Sequence, residues 1–285
     1  MSKETPGSMR GDLYKLAREA ATGNDGKIKH SLFAQYVDKS AERHGSSARA
    51  DLLRETLSKL IEENESKIDE LNFPNSVRAL IHTEFQRIKN AIPESEDDYF
   101  DLKQHRVRCD FRIACFGRVP VGVEHMESGG VPRSLFFRGG FVQSRNFLRM
   151  FGQTGGFKPF YDIHIGHGIK PAGFLLVYSR EAQAQVYRNV AACLEMNSQY
   201  RGLMASSWWY DPQLEQVSPY LTYIREVMVQ NGAYLFCYGR TSGSLDDALV
   251  NSPARQKMYK EGKYSPASYT VVWPRESLIA WAKDN

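Results

Sequence analysis

From Gly11 to about Ile92 the apolar positions recur every three or four residues, the spacing of helices with one buried side. Leu13, Leu16, Ala17 and Ala20 mark a short stripe, and Leu32, Phe33, Tyr36 and Val37 a second. Leu52, Leu53, Leu57, Leu60 and Ile61 predict a longer helix within 50–71, stopped by Asn72-Phe73-Pro74. Ser76 is placed to cap a helix carrying Val77, Leu80, Ile81, Phe85, Ile88 and Ile92, and the two long pieces read as a helical hairpin. Residues 1–9 are polar and expected to be disordered, and the acidic run 94–98 reads as a solvated connector.

At His105 the period changes. Val107, Cys109, Phe111, Ile113 and Cys115 alternate with Arg106, Arg108, Asp110 and Arg112, which predicts a half-buried strand. The glycines and prolines of 117–133 predict a loop or a hairpin with a mobile tip. Residues 134–137 read as a short strand and 143–151 as a helix. Alternation returns at 160–165, and Gly166, Gly168 and Pro171 break it. Ser179 is a candidate N-cap with Glu181 in the first turn, followed by a buried stripe of Ala182, Val186, Val190, Cys193 and Leu194. The next strand, 201–207, ends at Trp208, Trp209 and Tyr210, and Asp211-Pro212 turns the chain. Ser218-Pro219 then opens a helix that Asn231-Gly232 closes. A strand at 233–238, short helices capped by Ser244 and Ser252, a strand at 269–273 and a helix at 276–282 complete the pattern. Strands linked by helices predict an α/β fold, with α+β as the alternative: a mixed sheet covered by helices. The organisation read is a disordered 1–9, a helical region 10–103 and a mixed α/β domain 104–285.

Composition narrows the class. The 285 residues are 42% hydrophobic, enough for a sizeable core, and the net charge of +4 shows no basic stripe that would argue for nucleic acid. The four cysteines, Cys109, Cys115, Cys193 and Cys237, contain no CxxC spacing and read as buried thiols in a reducing compartment. The first residues have no apolar signal core, and no run approaches the roughly 20 apolar residues that span a bilayer. The expectation is a soluble cytoplasmic protein acting on a small molecule, with neither nucleic acid nor membrane as partner. Nothing in the pattern speaks to oligomeric state.

Candidate chemistry gathers in 161–221. Asp162 and His164 share one face of their predicted strand, as an orienting carboxylate and a base or as two metal ligands; a hydrogen-bonded structural histidine is the plainer alternative. His167 would join them on a metal only if Gly166 bends the chain, and no third ligand is assignable, so no metal site is assigned. Trp208, Trp209, Tyr210 and Asp211 stand where a strand ends, the place where open α/β sheets bind ligands, and Ser206 shares a face with Trp208 and Tyr210. Core packing by the aromatics and an Asx turn at Asp211 explain the same residues without a ligand. The loops GQTGG (152–156) and GRTSG (239–243) match neither a Walker loop nor GxGxxG. His105 and Cys109 are a close pair, but Cys109 falls on the apolar face of its predicted strand.

Asp162-Ile163-His164-Ile165, the helix after it, and the strand ending Ala205-Ser206-Ser207-Trp208-Trp209-Tyr210-Asp211-Pro212-Gln213-Leu214 resemble the C-terminal domain of bacterial acyltransferase-like proteins of the GNAT type. In that group a strand reading D/E-IHIP precedes a long helix, and a strand ending in SW, two apolar residues and DPxL follows. The resemblance covers roughly 158–238. It implies a GNAT-like mixed sheet behind a helical N-terminal region, and acyl transfer from acyl-CoA or an acyl-carrier thioester as co-substrate, with no permanently bound cofactor. His164 would then be the base, Asp162 its orienting partner, and Ser206, Trp208, Trp209, Tyr210 and Asp211 the walls of the acyl or acceptor pocket. Two departures stand: Gly166 replaces the usual proline, and no pyrophosphate-binding signature is visible. They motivate a second reading, a non-catalytic binding or regulatory protein on the same scaffold. A third reading is a metal-dependent oxygenase using Asp162 and His164.

Overall fold

The structure, a computed structural model, describes residues 6–23, 28–165 and 178–285. The chain divides into two compact units, Met1–Pro120 and Val121–Asn285.

The N-terminal unit is built from helices α1 (Pro6–Thr22), α2 (Leu32–His44), α3 (Ser46–Glu65), α4 (Asn75–Glu94) and α5 (His105–Ala114). The predicted stripes are its core: Leu13, Ala17, Phe33, Val37, Leu53, Leu57, Ile61, Val77, Ile81, Phe85 and Ile88 are all buried. Helix α1 starts at Pro6. Ser31 caps α2, accepting from the Ala34 amide at 3.2 Å, whereas Ser76 lies inside α4 and does not cap it.

The strand expected at 106–116 is helix α5. Its polar–apolar alternation does not separate a wet face from a dry one, because two of the four charged residues are buried with the apolar ones. Val107, Cys109, Phe111 and Ile113 pack inward, and Asp110 and Arg112 are buried beside them. Asp110 is accommodated by Arg87 and by the Tyr99 hydroxyl, which satisfies the buried carboxylate.

The C-terminal unit holds a mixed sheet with helices on both faces, the α/β architecture expected. Strand β1 (Val119–Pro120) ends the N-terminal unit; the strands of the C-terminal unit are β2 (Glu124–Gly129), β3 (Phe160–Ile165), β4 (Gly202–Ser207), β5 (Tyr234–Gly239) and β6 (Ser268–Pro274), in spatial order β2-β3-β4-β6-β5. Pairing is antiparallel for β2–β3, β4–β6 and β5–β6, and parallel for β3–β4. Strand β2 lies in the stretch read as a loop or a hairpin, and the short α6 (Leu135–Arg138) in one read as a strand. The extent of β2 did not show in the pattern, because Glu124, His125 and Met126 are all buried and do not alternate.

Helix α7 (Gly140–Thr154) covers one face, setting Phe147 and Met150 against Phe160, Met204, Phe236 and Val272. Gln143 of α7 binds the edge of β5, donating to the Cys237 carbonyl at 3.1 Å and accepting from the Cys237 amide at 2.8 Å. The other face is covered by α8 (Arg180–Met196) and, after the short α9 (Leu214–Val217), by α10 (Tyr223–Gln230) and by α13 (Arg275–Asp284). There Tyr187, Trp273 and Trp281 form an aromatic cluster with centroids 5.4–5.8 Å apart. Ser179 caps α8 as expected, accepting from the Ala182 amide at 3.1 Å. Helices α11 (Ser242–Leu249) and α12 (Pro253–Lys260) follow β5; α11 begins two residues before Ser244.

Candidate active site

The two central parallel strands part. The β3–β4 ladder pairs Tyr161 with Leu203 and Asp162 with Met204, and goes no further among the described residues. Beyond it, Ile163–Ile165 stay paired with Glu124–Met126 of β2, and Ala205–Ser207 with Tyr269–Val271 of β6. Each strand keeps its outer neighbour and leaves its inner one. The result is a notch at the C-terminal ends of adjacent parallel strands, where α/β sheets bind ligands. Gly202 fixes where the paired part begins: its φ is +151°, and a Cβ there would lie 2.2 Å from the Trp273 carbonyl oxygen.

Asp162 and His164 do share a face, and β2 adds Glu127 to it. His164 Nε2 lies 3.6 Å from Asp162 Oδ2 and 3.8 Å from Glu127 Oε2, ion pairs when the imidazole is protonated. The His164 side chain is 42% exposed while the carboxylates are 24% and 17%, so the imidazole is the group that meets solvent. Ser206 belongs to the same face by the pleat of β4, and its hydroxyl lies 2.8 Å from that of Thr270. On β2, the buried His125 is the register partner of His164.

The opposite face of β2 carries a residue that sequence reasoning missed. Glu124 is fully enclosed; Gln183 donates to its Oε1 at 3.2 Å, and its Oε2 has no hydrogen-bond partner among the described residues. Burial raises its pKa from the ordinary 4.5 to about 7, and the Gln183 hydrogen bond offsets only part of that. Gln183 also donates to the Tyr187 hydroxyl at 3.0 Å, which donates to the Ile224 carbonyl at 3.1 Å. Tyr178 donates to the Val123 carbonyl at 3.1 Å. Burial first, then the charge of Glu124 and the neighbouring Tyr187, Tyr178 and Asp162, hold the Tyr210 hydroxyl well above its ordinary pKa.

The remaining expected site residues are placed differently. Trp208–Tyr210 form a 3-10 turn, so strand alternation does not divide them between two faces. All three are buried. The Arg255 guanidinium sits 4.9 Å above Trp208, and Trp209 meets Tyr178 edge-on at 5.6 Å. Asp211 is completely buried and accepts two backbone hydrogen bonds, from Gln213 at 2.9 Å and Ala267 at 3.0 Å. It thereby ties the turn after β4 to the loop before β6. His167 lies outside the described residues, and among those described no group of three His, Cys, Asp or Glu side chains is placed to hold a metal ion.

His105 and Cys109 are neighbours for a different reason from the one expected, standing one turn apart on α5. Cys109 Sγ is 3.3 Å from His105 Nδ1 and accepts from Arg118 at 2.9 Å. Burial and the charges of Arg118 and Arg108 push the His105 pKa down. GQTGG is an ordinary helix end, where Gly155 takes the left-handed conformation and Arg201 donates to the Thr154 carbonyl at 2.6 Å.

No protein-family model matches the chain, and no curated protein is a significant match. Two solved structures resemble it. One is a crystal structure of an acyltransferase in complex with decanoyl-CoA and teicoplanin, at 10% identity and a TM-score of 0.44, covering 92% of this chain and 77% of that one. The other is an acyltransferase in complex with CoA and 10C-teicoplanin, at 10% identity and a TM-score of 0.43, covering 96% and 81%. A likeness at this level carries no weight for fold or activity.

Proposed function

We propose that the C-terminal unit is an acyltransferase that moves an acyl group from a thioester donor, acyl-CoA or an acyl-carrier thioester, to an amine or hydroxyl of a small molecule. The observation that carries this reading is the parting of β3 from β4 with His164 at its lip. Beyond the ladder, 163–165 and 205–207 do not pair with each other. An extended amide-bearing arm can lie between two parted strands as an added strand does. The thioester at the end of that arm would then lie beside the His164 face.

The chemistry follows from the groups on that face. His164 takes the proton from the acceptor nitrogen or oxygen as it attacks the thioester carbon. The tetrahedral intermediate collapses with cleavage of the C–S bond, and the thiolate leaves and is protonated. Asp162 and Glu127 orient the imidazole, and Ser206 presents a hydroxyl to the substrate. Trp208, Trp209, Tyr210 and Asp211 shape the notch from behind. Calorimetry with acyl-CoAs of increasing chain length and with acyl-pantetheine tests the donor. His164→Ala is expected to keep donor binding and to lose transfer by about 10²–10⁴-fold. Failure of every acyl-CoA and acyl-pantetheine to bind refutes the reading.

A second reading, a non-catalytic binding or regulatory protein on this scaffold, is favoured by one observation: the three aromatics expected to line a pocket are all buried. It predicts thioester or small-molecule binding with no turnover, unchanged by His164→Ala.

A further inference from the structure

Helices α6 and α7 carry an apolar surface that the sheet core does not use. Helix α7 turns Gln143, Phe147, Met150 and Thr154 inward. A surface helix ordinarily gives its outer side to polar residues. Here Phe141 is 83% exposed, Val142 71% and Leu148 59%, and Phe137 on α6 is 81% exposed. With Phe151, these make five of the eleven large hydrophobic residues exposed among the described residues, all within 137–151. Single exposed apolar side chains need no explanation, whereas a cluster marks an interaction site. A groove of about 600 Å³ lies between Phe136, Phe141, Ser144, Arg145, Leu148 and Arg149.

The charge of the stretch is one-sided. From Ser128 to Tyr161 the chain has Arg133, Arg138, Arg145, Arg149 and Lys158 and no Asp or Glu. That is more positive charge than the whole chain carries net. Arg145 and Arg149 are exposed on the same side of α7 as Phe141 and Leu148.

We propose that this face docks the C-terminal unit on an anionic membrane surface. Phe137, Phe141 and Leu148 enter the boundary between headgroups and acyl chains, and Arg145 and Arg149 meet the lipid phosphates. None of the described helices is long and apolar enough to cross a membrane, so the contact lies in the plane of the interface. This departs from the sequence-based expectation of no membrane partner, which rested on the lack of a spanning run of apolar residues. A second copy of the chain fits the face poorly: a two-fold contact would set arginines against arginines, with no carboxylate in 128–161 to answer them. An acidic protein partner would match the charge, but Phe137 and Phe141 stand out from the surface almost fully exposed, and a fluid interface closes around such side chains. The proposal is independent of the acyl-transfer reading.

The test is flotation of the full chain with vesicles of phosphatidylcholine alone and of phosphatidylcholine with phosphatidylglycerol in equal parts. Binding is expected only to the anionic vesicles, and to weaken as salt is raised. Arg145→Ser and Arg149→Ser should each lower partitioning about fivefold. Phe141→Ser combined with Leu148→Ser should lower it about tenfold or more. These positions are exposed, so circular dichroism should be unchanged, and Leu32→Ser, exposed elsewhere, should bind like the parent. Absence of flotation overturns the proposal, as it would if the partner were an acidic protein. So does equal binding to neutral vesicles, insensitivity to these variants, or dimerisation by light scattering that Phe141→Ser abolishes.

Discussion

Glu124→Gln isolates the buried carboxyl. In the folded chain its pKa is about 7 against an ordinary 4.5. At about 1.36 kcal/mol per pH unit, ionising it inside the fold costs about 3 kcal/mol more than ionising it in the unfolded chain. The sign follows from proton counting. Below pH 4.5 both states hold the proton and the group is silent. Between 4.5 and about 7 only the folded state keeps it, so stability falls as pH rises; above about 7 both are ionised and the loss is complete. Glutamine imitates the neutral acid: its oxygen can keep the Gln183 bond, and its amide replaces the acid O–H. Urea unfolding of parent and variant, followed by tryptophan fluorescence from pH 4.5 to 9, gives a difference curve in which the histidines cancel. The variant should match the parent near pH 4.5 and exceed it by about 3 kcal/mol at pH 8. A flat difference curve, or a parent that gains on the variant as pH rises, refutes the burial argument.

Asp211→Asn should cost about 2 kcal/mol by chemical denaturation, because the two backbone donors of Gln213 and Ala267 each need an acceptor and an amide offers one. Tyr187→Phe should cost about 1 kcal/mol in the same assay, as the Ile224 carbonyl and the Gln183 amide lose their shared hydroxyl. Asp110→Ala in the N-terminal unit should cost about 3 kcal/mol, since it strips Arg87 and Tyr99 of their buried partner.

Helices with one wet side were legible from the chain. Val77, Ile81, Phe85 and Ile88 recur at helical spacing because the other side of α4 meets water. The strands 160–165, 201–207, 233–238 and 269–273 were legible too, each lying within a residue or so of its predicted range. Helix α5 was not. Two of its four charged residues, Asp110 and Arg112, are buried alongside the apolar ones, so the pattern reports partners as well as solvent. Arg87 and Tyr99, which make Asp110 tolerable, lie far enough back in the sequence that no window of local spacing links them to it.

The same cause hid half of the candidate site. Asp162 and His164 could be read because β3 is wet on one side near its end, leaving His164 42% exposed. Glu127 is brought to them by antiparallel pairing with β2, a register that follows from β2 being a strand at all. The hairpin read as one alternative for 117–133 did not show the extent of β2, because Glu124 and His125 are consecutive and both buried. Burying such groups costs free energy unless partners are supplied, and a chain keeps them inside where their altered proton affinity or fixed geometry has a use. Sequence patterning fails where polar groups are interior, and in this unit those groups flank the parting of β3 and β4. The aromatic turn shows the converse: Trp208, Trp209 and Tyr210 drew attention by composition, yet they are packed and Asp211 is fully bonded. Of the residues at the notch, the solvent-facing imidazole of His164 is therefore the one whose removal should separate chemistry from folding.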